Sequence, residues 1–130
     1  PGTVRMLLAC KGWDKVVAVT DSIQAAGLPD RHYKLGVNDV VVEDGDAKLA
    51  SNGVRAGSTL TMAQALRNLM AFTGEGAETV SRLMTANPAR LMGWAGKGEL
   101  DVGKDADLVL LDGDYQVART VVGGRTVYTR

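Results

Sequence analysis

Asp21 is the residue of this sequence best placed to carry out proton-transfer chemistry. It ends the apolar run 16–20 and opens a loop of small residues, 22–30. In barrel enzymes the catalytic groups lie where the strands end, so an acid in this position is typical of a catalyst. The position is equally typical of a turn residue or a helix N-cap. The sequence therefore offers Asp21 as a candidate general acid or base and leaves a structural role open.

Histidine and cysteine, the usual partners of catalytic carboxylates and of metal ions, are scarce, since the chain has one of each. His32 lies in a polar turn, and one histidine cannot complete a zinc site or a catalytic triad. Cys10 lies in an apolar stretch, which predicts a buried structural thiol. We therefore expect no metal site built from this chain alone.

A second position of interest is the segment before a strongly amphipathic helix. Thr61 and Gln64 have the spacing of a capping box, and Met62 begins an apolar stripe. Glycine and small hydroxyl residues at 57–59 would leave backbone N–H groups free at the helix start, where an anion such as phosphate is favoured. Ordinary capping explains the same residues, so both interpretations stand.

These positions need a framework of helices and strands to hold them. Helical spacing and breakers predict helices over 3–11, 61–72, 77–85 and 87–93, with Asn87 as the N-cap of the last one. β-Forming residues predict a buried strand at 15–20, short antiparallel strands within 33–49, and strands at 106–111, 117–122 and 125–129. The change to purely β character after Trp94 indicates a boundary between residues 1–94 and 95–130.

Composition argues against several kinds of partner. The 130 residues suit one compact domain, and 45% of them are hydrophobic. Fifteen basic and fifteen acidic residues cancel, and the chain lacks the basic block that binds a nucleic-acid backbone. No apolar run approaches the roughly 20 residues that span a membrane. We expect a cytoplasmic protein that binds neither nucleic acid nor membrane.

Several motifs carry a family resemblance over nearly the whole chain. The motifs are Val19-Thr20-Asp21 followed by 25–30, Ala56-Gly57-Ser58-Thr59-Leu60-Thr61-Met62, Arg67-Asn68-Leu69, Asn87-Pro88-Ala89-Arg90 and 98–109. Together they resemble the N-acetylglucosamine-6-phosphate deacetylases of the amidohydrolase superfamily. The first two motifs point to the deacetylases, whereas the stretch 103–108 is shared by many amidohydrolases.

The resemblance implies an α/β fold, a metal-dependent (β/α)₈ barrel joined to a small β-sandwich. Residues 1–94 would be the C-terminal part of the barrel, and residues 95–130 the C-terminal strands of the sandwich. A complete barrel takes roughly 250 residues, so the chain would be a C-terminal fragment. Its partner would be the missing N-terminal part of the same protein, and its uncovered faces and strand edges would make it self-associate.

The resemblance also implies a site. A divalent metal, zinc or iron, would be held by a glutamate and two histidines on strands that precede this chain. Asp21 would accept a proton from the metal-bound water and later protonate the leaving amine. Arg55, Ala56 and Gly57 match the loop that contacts substrate. Arg55 replaces an apolar residue expected there, and either phosphate contact or solvent exposure suits its side chain.

The implied function is hydrolysis of N-acetylglucosamine 6-phosphate, an amino-sugar phosphate, to glucosamine 6-phosphate and acetate. The full-length protein would be the enzyme, and the fragment alone would be inactive. One alternative is an amidohydrolase that acts on another amide or on a cyclic ureide. The other is a noncatalytic folded module, since the chain supplies no metal site.

Overall fold

A computed structural model describes all 130 residues, Pro1–Arg130. The chain is α/β, as the sequence predicts, and combines short sheets with helices. In chain order the elements are α1 (Gly2–Lys11), a 3₁₀ helix (Trp13–Lys15), β1 (His32–Leu35), β2 (Asn38–Glu43), β3 (Asp46–Leu49), α2 (Met62–Thr73), α3 (Ala77–Ser81), α4 (Ala86–Leu91), β4 (Leu108–Leu111), β5 (Val117–Val122) and β6 (Arg125–Thr129).

The chain divides into two compact units. The split unit comprises residues 1–18 and 66–130, and the inserted unit comprises residues 19–65. The predicted domain boundary between residues 94 and 95 falls within the split unit and stays a prediction. None of the helices combines the length and the hydrophobicity that a membrane-spanning helix requires.

The inserted unit is built on the antiparallel sheet β1–β2–β3, which confirms the short strands predicted within 33–49. Val40 pairs with Leu49 and Val42 with Ala47 across β2 and β3. The buried residues of this unit's core are Ala25, Val40, Val42, Ala47 and Ala56. Because side chains alternate along a strand, Val40 and Val42 share one face, and that face forms the core.

Helix α1 ends at Gly12, as predicted. Gly12 has a φ of 77°, and its N–H donates to the Leu8 carbonyl at 2.8 Å. Leu8 is the buried residue of this helix, whereas Cys10 is exposed. The predicted burial of Cys10 is therefore wrong. Two residues correspond to about 200° around an α-helix, so Cys10 lies on the side opposite Leu8.

The predicted strand over residues 15–20 is also wrong. Trp13–Lys15 is a 3₁₀ helix, and residues 16–20 are assigned to no strand. Val19 is 76% exposed, and the Ala18 N–H donates to the Leu83 carbonyl at 2.9 Å. The apolar pattern reports a preference for burial within a sheet, but a strand also needs a neighbouring strand for its backbone hydrogen bonds.

The helices that follow α2 differ in detail from the prediction. α3 ends at Ser81 instead of continuing to residue 85. Turns follow it, and Thr85 lies outside the helical region with a φ of −128°. α4 begins at Ala86, and Thr85 is its N-cap residue. Asn87 therefore lies inside the helix, and its predicted capping role is wrong.

The strands β4, β5 and β6 form an antiparallel sheet in that order, which confirms the predicted C-terminal strands, although β4 begins at Leu108 instead of residue 106. Val109 is 58% exposed and Leu110 is 45% exposed. Adjacent residues of a strand point to opposite faces of the sheet. Apolar surface is therefore open on both faces at β4.

Candidate functional site

Asp21 follows the segment 16–20, which belongs to no helix or strand, and its backbone conformation is unusual. Its φ is 51°, in the left-handed region that residues with a side chain seldom adopt. Aspartate tolerates this region better than most residues do. The side chain is exposed, so the carboxylate is accessible to a ligand.

The segment before α2 holds this conformation in place. The Ser58 N–H donates to the Asp21 carbonyl at 2.8 Å, and the Ile23 N–H donates to the Ser58 carbonyl at 2.8 Å. The Ser58 hydroxyl donates to the Thr20 carbonyl at 2.5 Å. Ser22 and Ser58 form a parallel β-bridge. The backbone around Asp21 is thus fastened to residues that stand far away in sequence.

Gly57 permits this close approach. Its φ is 74°, and a Cβ at this position would lie 2.9 Å from the Asp21 carbonyl oxygen and 2.7 Å from Ile23 Cγ2. The same point lies 3.7 Å from Asp21 Oδ2, so the carboxylate stands beside the Gly57 backbone. The structure therefore brings together two of the residues that the sequence assigns to the site.

Ala56 and Arg55 have different environments. Ala56 is part of the core of the inserted unit, and its N–H donates to the Ala47 carbonyl at 2.9 Å. The Arg55 side chain is exposed, with Nη2 at 3.1 Å from Asp46 Oδ1. Lys48 Nζ lies 3.3 Å from the other oxygen of Asp46. Ala56 can offer a ligand only backbone atoms, whereas Arg55 retains guanidinium N–H groups beyond the one that faces Asp46.

A cleft of about 630 Å³ opens within the inserted unit, beside the start of α2. Gly57 and Arg55 line it, together with Asp44 and Asp46. Two carboxylates against one guanidinium give these side chains a net negative charge. Their charge therefore disfavours an anion, and neutral hydroxyl groups match the cleft better.

The capping prediction at α2 is confirmed in its first half. The Gln64 N–H donates to Thr61 Oγ1 at 3.3 Å, and the Leu60 N–H donates to Ser58 Oγ at 3.1 Å. Side-chain hydroxyls thus satisfy backbone donors at the helix start. The interpretation of residues 57–61 as ordinary capping has this support, whereas the anion site stays a prediction.

The residues of this chain do not fit a metal ion. No group of three or more His, Cys, Asp or Glu side chains is arranged to hold one. Asp21 can supply a single carboxylate, and His32 lies exposed at the start of β1. A divalent ion bound by this protein would need ligands from other residues than these 130.

Asn87 is the centre of a hydrogen-bond network in the split unit, which the sequence analysis did not predict. It is 3% exposed, and its Nδ2 donates to the carbonyls of Trp13 at 2.7 Å and Val16 at 2.6 Å. Arg90 donates to Asn87 Oδ1 at 2.6 Å and to the Asp14 carbonyl at 3.0 Å. These bonds fix the chain where it enters the segment 16–20. The spacing of Asn87 and Arg90, one helical turn apart, is the only sign of this in the sequence.

Lys97 forms a separate cluster of charges in the split unit. Its Nζ lies 2.8 Å from Asp105 Oδ2 and also donates to Asp107. The hydrogen bonds to Asp105 and then Asp107 raise the pKa of Lys97 above its usual range. The bond from Lys97, followed by the one from the Gly123 N–H, lowers the pKa of Asp107. Asp107 Oδ1 accepts the Gly123 N–H at 2.8 Å, so the cluster fastens the turn between β5 and β6.

Comparisons with known proteins agree with the motifs. The sequence model of the amidohydrolase family matches residues 18–127. The N-acetylglucosamine-6-phosphate deacetylase of Lysinibacillus sphaericus is 38% identical over 95% of this chain, which spans 32% of that protein. The putative N-acetylgalactosamine-6-phosphate deacetylase of Escherichia coli is 36% identical over 92% of this chain and 71% of its own length.

A solved structure gives the same result for the fold. The crystal structure of N-acetylglucosamine-6-phosphate deacetylase from Thermotoga maritima superimposes with a TM-score of 0.91 at 37% identity. The match covers 99% of this chain and 35% of that one. The chain therefore has the fold of about a third of a longer enzyme.

Proposed function

The chain belongs to the amidohydrolase family, and we propose that the full-length protein hydrolyses N-acetylglucosamine 6-phosphate to glucosamine 6-phosphate and acetate. Relatives with this activity in their names are similar over nearly the whole chain. The observation that carries the proposal is the placement of the Asp21 carboxylate, exposed and beside the Gly57 backbone. An exposed carboxylate whose backbone is hydrogen-bonded in place suits proton transfer to a bound amide.

In this proposal Asp21 acts twice. Its carboxylate accepts a proton from the water whose oxygen attacks the acetamide carbonyl carbon. When the C–N bond breaks, Asp21 returns that proton to the amine nitrogen, so glucosamine 6-phosphate and acetate leave and the carboxylate is restored. Gly57 keeps this backbone close to Asp21, and Arg55 and Ala56 contact the sugar through N–H and carbonyl groups, respectively.

A divalent metal, zinc or iron, is part of the same proposal. Since this chain's residues do not fit one, the ligands would come from the rest of the protein, within a (β/α)₈ barrel. Such an ion would supply Lewis acidity at the reacting carbonyl. The protein would act in the cytoplasm, because a phosphorylated sugar does not cross a bilayer unaided.

The replacement Asp21→Asn in the full-length protein tests the proposal. We expect kcat for acetate release to fall by about 10²- to 10⁴-fold, because the amide cannot accept the proton. Asp39→Asn is the matched control, since it removes an exposed carboxylate of the same unit that pairs with Lys34. Bound metal should be unchanged in both variants. A near-normal kcat in Asp21→Asn would refute the role of Asp21.

A second candidate substrate is N-acetylgalactosamine 6-phosphate, because the relative with that name is matched over most of its length. The two sugars differ only in the orientation of one hydroxyl. Comparing kcat/KM for both, with a cyclic ureide as a third substrate, distinguishes these possibilities. Turnover of the ureide alone would favour the other amidohydrolases.

The 130 residues alone would be a noncatalytic folded module in this proposal. Their natural partner would be the rest of the same protein, and without it the module would self-associate. Tightly bound metal together with deacetylase turnover in the isolated chain would contradict this.

A further inference from the structure

We infer that Ser58 is a positioning residue for Asp21, which it serves by fixing the two peptide groups on either side of the Asp21 Cα. The inference rests on the proposed role of Asp21 and adds a residue whose contribution the motifs do not reveal.

The geometry of the two bonds carries the inference. The Thr20 carbonyl belongs to the peptide group that precedes the Asp21 Cα, and the Asp21 carbonyl belongs to the one that follows it. Ser58 binds both, with its hydroxyl at 2.5 Å and its N–H at 2.8 Å. When both peptide planes are held, φ and ψ of Asp21 are determined, and with them the direction of its Cα–Cβ bond.

Asp21 needs such support because its φ of 51° is unfavourable for a residue with a side chain. An unsupported backbone would relax toward negative φ and carry the carboxylate with it. Conformations of this kind persist where the surroundings hold them, and they are concentrated at functional sites.

The Ser58 side chain is itself oriented. Its oxygen accepts the Leu60 N–H at 3.1 Å, so its own proton is directed to the Thr20 carbonyl. The Ser58 carbonyl accepts the Ile23 N–H at 2.8 Å, which fastens the chain on the far side of Asp21. Ser58 thus engages residues 20, 21 and 23 at once.

Ordinary capping of α2 is the competing explanation. A capping residue would alter the stability of the fold, but the folded protein would keep its turnover number. A positioning residue would alter the turnover number of protein that is fully folded.

The experiment compares three variants of the full-length protein with N-acetylglucosamine 6-phosphate as substrate. Ser58→Ala removes the hydroxyl, and Ser58→Thr restores it. Tyr33→Phe is the matched control, because it also removes one hydroxyl that donates to a backbone carbonyl of the inserted unit, that of Pro29. For each, kcat and KM are measured well below the melting temperature.

We expect Ser58→Ala to lower kcat by about tenfold to a hundredfold with a much smaller change in KM, as for a misplaced catalytic group. Ser58→Thr should recover most of kcat, and Tyr33→Phe should match the parent. Amide hydrogen exchange at residues 23 and 58 should be faster in Ser58→Ala alone.

A parental kcat in Ser58→Ala would overturn the inference. If Asp21→Asn were inactive in the same assay, the proposed function would stand. An active Asp21→Asn would instead refute the role of Asp21 on which the inference rests, and a parent protein that releases no acetate would refute the proposed function. Should Ser58→Ala not fold, Ser58→Cys keeps the side-chain size with a weaker donor, and the same criteria apply to it.

Discussion

At the scale of residues, the candidate site depends on backbone that only certain side chains allow. Asp21 and Gly57 both have positive φ, and each lies within van der Waals range of the other. The sequence predicted Asp21 and Gly57 from a strand end and from motifs. The motifs include Ser58 but do not indicate what it contacts, because its hydrogen bonds reach residues more than 30 positions away and leave no local pattern.

Gly57→Ala should lower the free energy of unfolding by more than the positive φ of Gly57 alone explains. The new Cβ would lie 2.7 Å from Ile23 Cγ2 and 2.9 Å from the Asp21 carbonyl oxygen, so the chain must move away from Asp21. Gly53→Ala is the matched control, because its φ of 71° is nearly the same and nothing lies within 4 Å of its Cβ.

We expect Gly53→Ala to lose about 1 kcal/mol of unfolding free energy and Gly57→Ala to lose roughly 1–3 kcal/mol more through overpacking. Urea unfolding of the 130-residue chain measures both values. Equal losses in the two variants would show that Gly57 is required only for its φ.

At the scale of elements, the sequence predicted best those helices and strands whose structure follows from their own local residues. Helices α1 and α2 have apolar residues at helical spacing and residues that mark a helix end. The strands β1–β6 are rich in β-forming residues. The segment 16–20 and Asn87 were predicted wrongly because their state depends on distant partners. A strand needs a neighbour, and Asn87 finds the carbonyls of Trp13 and Val16.

The turn between β5 and β6 should be sensitive to acid through Asp107. Its pKa is lowered in the folded chain, so the carboxylate contributes stability above its unfolded pKa of about 3.9 and loses that contribution as pH falls through the folded value. The raised pKa of Lys97 affects stability only at alkaline pH, because the stabilising charge of Lys97 is lost only as the pH rises above the usual pKa range of lysine. Stability should therefore fall below about pH 4.

Melting temperatures of the 130-residue chain between pH 7 and pH 2.5 test this behaviour. Asp107→Asn should lower the melting temperature at pH 7 and reduce the drop on acidification. Asp114→Asn, an exposed carboxyl in the turn between β4 and β5, should leave the drop as it is. If Asp107→Asn loses as much melting temperature on acidification as the parent, the acid sensitivity belongs to other groups. Asp112 is one of them, because the hydrogen bond from the Gln116 N–H lowers its pKa as well.

At the scale of the whole molecule, the chain has the fold of part of a longer enzyme, and apolar side chains are exposed on its C-terminal sheet. It spans about a third of the Thermotoga maritima structure, at 35% of that chain. β4 and β6 are the edges of their sheet, and Val109, Leu110 and Val127 are among the exposed apolar residues on these strands. An uncovered apolar sheet with unpaired edges favours pairing with another chain.

The isolated chain should therefore form dimers or larger species as its concentration rises. Val109→Lys places a charge on the β4 edge and should shift the equilibrium toward monomer, because a buried unpaired charge opposes association. Val37→Lys is the matched control, since Val37 is 94% exposed in the turn between β1 and β2. Sedimentation velocity across a hundredfold range of concentration measures the effect. Monomer at every concentration, or equal loss of association in both variants, would show that the β4 edge does not mediate self-association.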